Sequence, residues 1–148
     1  MRGIIGREDD INHRSHSQLL GAGDTVLQVR TLDDVLTAYP AFACPDLIKI
    51  DTDGFEPAIL RGAKQVLTSA HPVVFYEWHP PYYHRAGEDN VSHADLLMDL
   101  GYDGFTIFAN RGELLLHVRR PGHAILESLA HFDVAILFRT HGDKELTQ

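Results

Sequence analysis

The sequence predicts an α/β fold built around one parallel βαβ unit. Two apolar runs, residues 47–50 and 73–76, have the length of buried strands. Between them Pro57 stands in the first turn of a predicted helix, where proline loses no hydrogen bond. Apolar residues then recur with the spacing of one helix face: Ile59, Leu60, Ala63, Val66 and Leu67. Two strands joined by such a helix, of about three turns, are nearly always parallel with a right-handed crossover.

The segments before this unit are predicted from composition and capping. Residues 1–25 show no hydrophobic periodicity, and we expect them to form an irregular polar lead-in. Residues 26–29 are a short candidate strand. Thr31 and Asp34 have the spacing of a capping box, which predicts a short helix that stops before Pro40.

The segments after the unit continue the alternation of helices and strands. Residues 78–90 are a long connection with prolines, aromatics and histidines, and we interpret them as a functional loop, since long loops in compact domains are usually functional or disordered. Ser92 and Asp95 form a capping box that predicts another helix. We expect strands over residues 105–109 and 134–138, a returning hairpin strand over 114–118, and a polar tail over 139–148.

The bulk composition excludes several classes of protein. A chain of 148 residues is long enough for one domain. Its net charge of −8 argues against binding to nucleic acid or to an anionic membrane surface. Cys44 is the single cysteine, so neither a disulfide framework nor a thiolate metal cluster is expected. No apolar signal segment or membrane-spanning run is visible, and we expect a cytoplasmic location.

A set of short motifs is spread over the central unit and the helix before it. These motifs are Leu32-Asp33-Asp34, Ile48-Lys49-Ile50-Asp51, Gly54, Glu56, Leu60, Gly62-Ala63 and Glu77. Their order and spacing resemble the carboxyl half of an FkbM-type methyltransferase domain. The resemblance covers about residues 26–138, with Thr52 and Asp53 standing where the family usually has an aliphatic residue and Glu or Gln.

The resemblance implies a particular fold and chemistry. The fold would be a Rossmann-like class I methyltransferase sheet, which in the family has seven strands in the order 3-2-1-4-5-7-6. Here residues 47–51, 73–77, 105–109 and 134–138 would be strands 4, 5, 6 and 7, and the first three strands are missing. The implied activity is S-adenosylmethionine-dependent methylation, mostly of hydroxyl groups of small molecules and sugars. The small-molecule acceptor is the implied partner.

The missing strands have two consequences. The glycine-rich turn that holds the cofactor in the family does not occur in this sequence, so one alternative is that the chain is inactive alone. The strand at residues 47–50 would also become an apolar edge, which is prone to pairing with other chains. We therefore expect either a fragment or an edge covered by residues 26–29, by the lead-in, or by a partner chain or second copy in a homo-oligomer.

Several polar residues follow the two central strands, where the carboxyl ends of a sheet bind ligands. Asp51 is predicted to orient the acceptor hydroxyl or to contact the cofactor, and His79 is the predicted general base because its ordinary pKa lies near neutrality. Further cofactor contacts are assigned to Asp53 and Glu56. Acceptor-binding residues are predicted to be Glu77, Tyr82, Tyr83 and His84.

Other functions remain open on the sequence alone. One is a non-catalytic module, or one that depends on a partner chain for the cofactor half. A weaker one is a metal-dependent hydrolase, because Asp51, Asp53, Glu77, His79 and His84 together offer oxygen and nitrogen ligands. No ligand spacing fixes such a metal site, so none is assigned.

Overall fold

The structure is a computed structural model that describes residues 29–129 and 134–140. The predicted lead-in, most of the candidate strand at 26–29, and residues 141–148 of the tail lie outside the described residues. The elements, in chain order, are α1 (Leu32–Ala38), a 3-10 turn (Pro40–Phe42), β1 (Leu47–Ile50), α2 (Glu56–Arg61), α3 (Lys64–Ser69), β2 (Val73–Trp78), α4 (Pro80–Ala86), α5 (Ser92–Asp99), β3 (Tyr102–Ala109), β4 (Leu114–Arg119), α6 (His123–Ser128) and β5 (Val134–Thr140).

The strands form one mixed sheet in the order β1-β2-β5-β3-β4. β1 and β2 are parallel, with Ile50 opposite Tyr76, as the βαβ prediction requires. The other three pairings are antiparallel, and β3 and β4 make the predicted hairpin with an irregularity near Phe108. The prediction of a mixed α/β fold is therefore confirmed.

The sheet has one well-covered face. Along β2, Val74, Tyr76 and Trp78 are fully buried, whereas the alternating Phe75 and Glu77 are only half-buried. The buried face packs against the helices in one core, whose largest members are Trp78, Tyr76, Tyr83, Tyr102, Phe105, Leu60, Leu67 and Leu97. The face that carries Phe75 and Glu77 is therefore the one more accessible to ligands.

The predicted single helix between β1 and β2 is wrong, because it breaks into α2 and α3 at Gly62. The cause is the docking of α1. Asp33 accepts hydrogen bonds from the backbone N–H groups of Gln65 and Val66, at 2.9 and 3.0 Å, and its own N–H donates to the Gly62 carbonyl. The N-terminal N–H groups of α3 are thus satisfied from another helix, and the chain turns between the two segments.

The predicted loop at residues 78–90 is also wrong over most of its length. Pro80 and Pro81 open α4, and Gly87 ends it in the left-handed conformation with φ 82°. This is the usual asymmetry of proline at a helix start and glycine after its end. The capping box at Ser92 is not formed either, since Asp89 accepts from the N–H groups of Val91 and Ser92.

Candidate functional site

The turn between β1 and α2 is held together by Glu56. This residue is 1% exposed, and its carboxylate accepts from the Thr52 N–H at 2.7 Å, the Thr52 hydroxyl at 2.8 Å and the Gly54 N–H at 2.9 Å. Three donors stabilise the buried charge, which would otherwise be costly to remove from water. The turn that follows Asp51 therefore has a fixed shape.

We expect Glu56→Gln to lower the free energy of unfolding by about 2 kcal/mol, because the amide keeps one acceptor oxygen and turns its NH2 group toward backbone donors. Urea denaturation measures the change. The exposed Glu127 in α6, changed to Gln, is the matched control and should shift stability by less than about 0.5 kcal/mol. Equal stabilities of the two variants would contradict this role for Glu56.

The same turn packs tightly against the start of α4. Gly54 has φ 110°, and a Cβ placed there would lie 2.6 Å from the Tyr82 carbonyl oxygen. The next residue, Tyr83, donates its hydroxyl to the Glu77 carbonyl oxygen at the end of β2. Burial, with a further contribution from the charge of Glu56, raises the pKa of Tyr83, so this hydroxyl keeps its proton. The ends of β1 and β2 are thereby fixed relative to each other.

A cleft of about 560 Å³ lies at these strand ends, on the less covered face of the sheet. Asp51 and Glu77 bring carboxylates to it from β1 and β2, and the β3–β4 turn contributes Asn110. The other lining residues are Lys49, Ile50, Phe75, Phe108, Ala109, Gly112 and Val134. The cleft thus combines an apolar floor with a few polar groups, as small-molecule sites usually do.

The Asp51 carboxylate stands largely in solvent. Its side chain is 58% exposed and accepts from Lys49 Nζ at 2.9 Å, while the lysine is itself 60% exposed. An exposed ion pair of this kind contributes little to stability. Asp51 can therefore exchange its lysine partner for a ligand at small cost.

The structure brings only two of the predicted site residues into the cleft, Asp51 and Glu77. The ring of His79 stacks on Tyr82 with centroids 3.9 Å apart, and its Nδ1 is buried without a hydrogen-bond partner among the described residues. Tyr83 is buried in the core, and His84 is exposed on α4. The roles of these residues, and those of Asp53 and Glu56, stay predictions.

Sequence reasoning missed the residues that complete the cleft wall. Phe75 lies in the run predicted to be a buried strand, yet it alternates with buried Tyr76 and therefore faces the open side. Phe108 and Asn110 come from a hairpin that is distant in sequence from β1. The period-2 pattern of β2 was the available signal for Phe75. No local sequence pattern indicated that Asn110 would line the cleft.

A second group of aromatic residues lies on the covered face of the sheet. His93 is 1% exposed, and its ring centroid lies 4.9 Å from that of Trp78, 5.0 Å from Tyr83 and 5.5 Å from Tyr76. Neither ring nitrogen has a hydrogen-bond partner among the described residues. Burial lowers the pKa of His93 to about 4, so the ring is neutral near pH 7.

Over residues 29–129 and 134–140, no group of three His, Cys, Asp or Glu side chains is arranged to hold a metal ion, so the hydrolase alternative gains no support. Within the same ranges, no helix has the length and apolar character needed to cross a membrane.

The family model described as the methyltransferase FkbM domain matches residues 3–104. The match begins inside the predicted lead-in and stops just after the start of β3, whereas the resemblance in the sequence was placed at about residues 26–138. Neither the curated proteins nor the solved structures give a match.

Proposed function

Because the chain belongs to the FkbM methyltransferase domain family, we propose that it transfers a methyl group from S-adenosylmethionine to a hydroxyl group of a small molecule or sugar. The observation that carries the proposal is the cleft at the carboxyl ends of β1 and β2, which holds Asp51 and Glu77. Open α/β sheets bind their ligands at this edge.

The sheet order supports this assignment. Reading β1, β2, β5 and β3 as strands 4, 5, 7 and 6 reproduces the order expected for the carboxyl half of a class I methyltransferase sheet. The antiparallel direction of β5 between two other strands is compatible with that arrangement. We therefore propose that the described sheet is this half of the fold.

The chemistry of the cleft fits the charged part of the cofactor. S-adenosylmethionine would supply a methyl group on a positively charged sulfonium, next to an ammonium group. Asp51 and Glu77 offer negative charge, and Phe75 and Phe108 offer an apolar floor for a ring. We assign the cofactor contacts to Asp51, with Asp53 as a further predicted contributor at the same turn. Glu56, which was also predicted to contact the cofactor, is buried with its carboxylate bonded inside the turn, and we assign it the role of holding the turn in shape.

The reaction itself needs the methyl donor and the acceptor hydroxyl to be aligned, and it needs a base to take the hydroxyl proton. The acceptor oxygen takes the methyl group as the carbon–sulfur bond breaks, and the hydroxyl proton must pass to a base. His79 is the predicted base, while Asp51 and Glu77 are the bases that line the cleft. The fixed turn around Glu56 supports the placement of Asp51, and alignment supplies most of the acceleration when the donor is already reactive.

Calorimetric titration of the chain with S-adenosylmethionine and with its demethylated product tests the proposal. We expect dissociation constants on the order of micromolar, and a loss of roughly tenfold in Asp51→Asn, because the amide removes a charge that faces a cation. Glu127→Gln, outside the cleft, should bind like the unchanged protein. A folded chain that releases no heat with either ligand would exclude catalysis by this chain alone.

A further inference from the structure

We propose that Lys49 and Asp51 together form a subsite for the head group of an α-amino acid, in which Lys49 binds the carboxylate and Asp51 binds the ammonium group. The subsite rests on the proposed function, since the amino-acid end of S-adenosylmethionine is the head group that we expect there. Lys49 lines the cleft, yet none of the cofactor contacts assigned to Asp51 and Asp53 uses its charge.

The sheet places the charged groups of the subsite on one face. Lys49 pairs with Phe75 across the parallel β1–β2 ladder, and both residues line the cleft. Side chains two residues apart on a strand share a face, so Asp51 follows Lys49 and Glu77 follows Phe75 on the open face of the sheet. Neighbouring strands lie about 4.8 Å apart. The charges of Lys49, Asp51 and Glu77 are therefore close enough for one small ligand to contact all three.

Both members of the ion pair have bonding capacity left for a ligand. Lys49 Nζ lies 2.9 Å from Asp51 Oδ2, and neither group has another side-chain hydrogen bond to the residues that the structure describes. An ammonium group has three donors, and each oxygen of a carboxylate can accept more than one hydrogen bond. The two charges of an amino-acid head group can therefore lie against the pair, each facing its opposite, while the contact between Lys49 and Asp51 is kept.

The charge of the cleft favours such a ligand over a simple anion. Lys49 brings a positive charge, whereas Asp51 and Glu77 bring negative charges, so negative charge is in excess among the lining residues. A phosphate ion at Lys49 would lie beside both carboxylates and be repelled by them. An amino-acid head group carries its own positive charge for Asp51, and the sulfonium of S-adenosylmethionine supplies another for Glu77.

Calorimetric titration with S-adenosylmethionine and with decarboxylated S-adenosylmethionine tests the subsite. Each ligand is titrated into the unchanged protein and into Lys49→Met, which keeps an unbranched side chain and removes its charge. The substitution should change the ratio of the two dissociation constants by roughly tenfold in favour of the decarboxylated ligand, because only the carboxylated ligand loses a charge-assisted hydrogen bond. Comparing ratios removes the effect that the substitution has on Asp51 itself.

Lys64→Met is the matched control. Lys64 is exposed on α3, outside the cleft, and this substitution removes the same charge from the protein. The ratio of the two dissociation constants should stay as it is in the unchanged protein. Lys49→Gln serves as a second variant at the subsite, and circular dichroism verifies that each variant folds.

The possible outcomes separate the subsite from the proposed function. If both ligands bind and Lys49→Met leaves their ratio unchanged, the subsite is excluded while the proposed cofactor stands. A ratio that Lys64→Met changes as much as Lys49→Met does would also exclude the subsite, because the effect would then be one of net charge. If the folded chain binds neither ligand, the proposed function fails and the subsite fails with it.

Discussion

Replacing Gly54 by alanine is expected to lower the free energy of unfolding by about 4 kcal/mol. The added Cβ would lie 2.6 Å from the Tyr82 carbonyl oxygen and 2.8 Å from its carbon, and both are backbone atoms that cannot rotate away. Overpacking of this kind costs about 1–3 kcal/mol, and a left-handed backbone conformation costs a non-glycine residue about 1–2 kcal/mol more. Urea denaturation, with thermal unfolding as a second probe, measures the loss.

Gly101 provides the matched control. It also has positive φ, at 95°, but a Cβ placed there meets nothing within 4 Å. Gly101→Ala should therefore lose only the backbone contribution, about 1–2 kcal/mol. The difference between the two variants measures the close approach of the β1–α2 turn to α4. Equal losses of stability would mean that the close approach adds nothing to the cost of the substitution at Gly54.

Acidification from pH 6.5 to pH 4 is expected to remove roughly 3 kcal/mol of stability through His93. Burial lowers its pKa to about 4, whereas the unfolded chain has the ordinary value near 6.5. The unfolded state therefore binds a proton in this window and the folded state does not, so stability falls as the pH falls. Asp89 and Asp95 oppose the downward shift and Arg61 adds to it.

The comparison of the unchanged protein with His93→Phe isolates this contribution. Phenylalanine keeps an aromatic ring among Tyr76, Trp78 and Tyr83 but cannot titrate, so its stability should fall less over the same window. His123 acts in the opposite sense, because its hydrogen bond to Asp95 raises its pKa and stabilises the folded state below about pH 6.5. Because His123 is present in both proteins, its contribution to the pH dependence cancels in the comparison. Parallel pH profiles would contradict the role of His93.

The elements that follow from local patterns were predictable, and those that depend on distant partners were not. The strands at Leu47–Ile50 and Val73–Trp78 follow from apolar runs, and the β3–β4 hairpin follows from two runs around a turn. The break at Gly62 depends on Asp33, which bonds to the start of α3 although it lies 32 residues before Gln65 in the sequence. A periodicity argument has no access to that contact.

The candidate site divides in the same way. Asp51 and Glu77 were identified because both end strands whose carboxyl ends share one edge of the sheet. The inward role of Glu56 was not identified, since an acidic residue at a helix start is equally well explained by the helix dipole. Its burial comes from packing that brings α4 onto the turn. No local pattern in the sequence predicts that α4 packs onto the turn.

The turn held by Glu56 also limits where this protein can change over evolution. Connections between strands and helices usually tolerate insertions. In this turn, the backbone N–H groups of Thr52 and Gly54 bond to Glu56, and Gly54 lies against Tyr82. These contacts require a turn of this length, so an inserted residue would break several of them at once. The hairpin turn across the cleft has open space around Gly112. The shape of the cleft would therefore change by lengthening or substituting the hairpin turn, while the β1–α2 turn stays as it is.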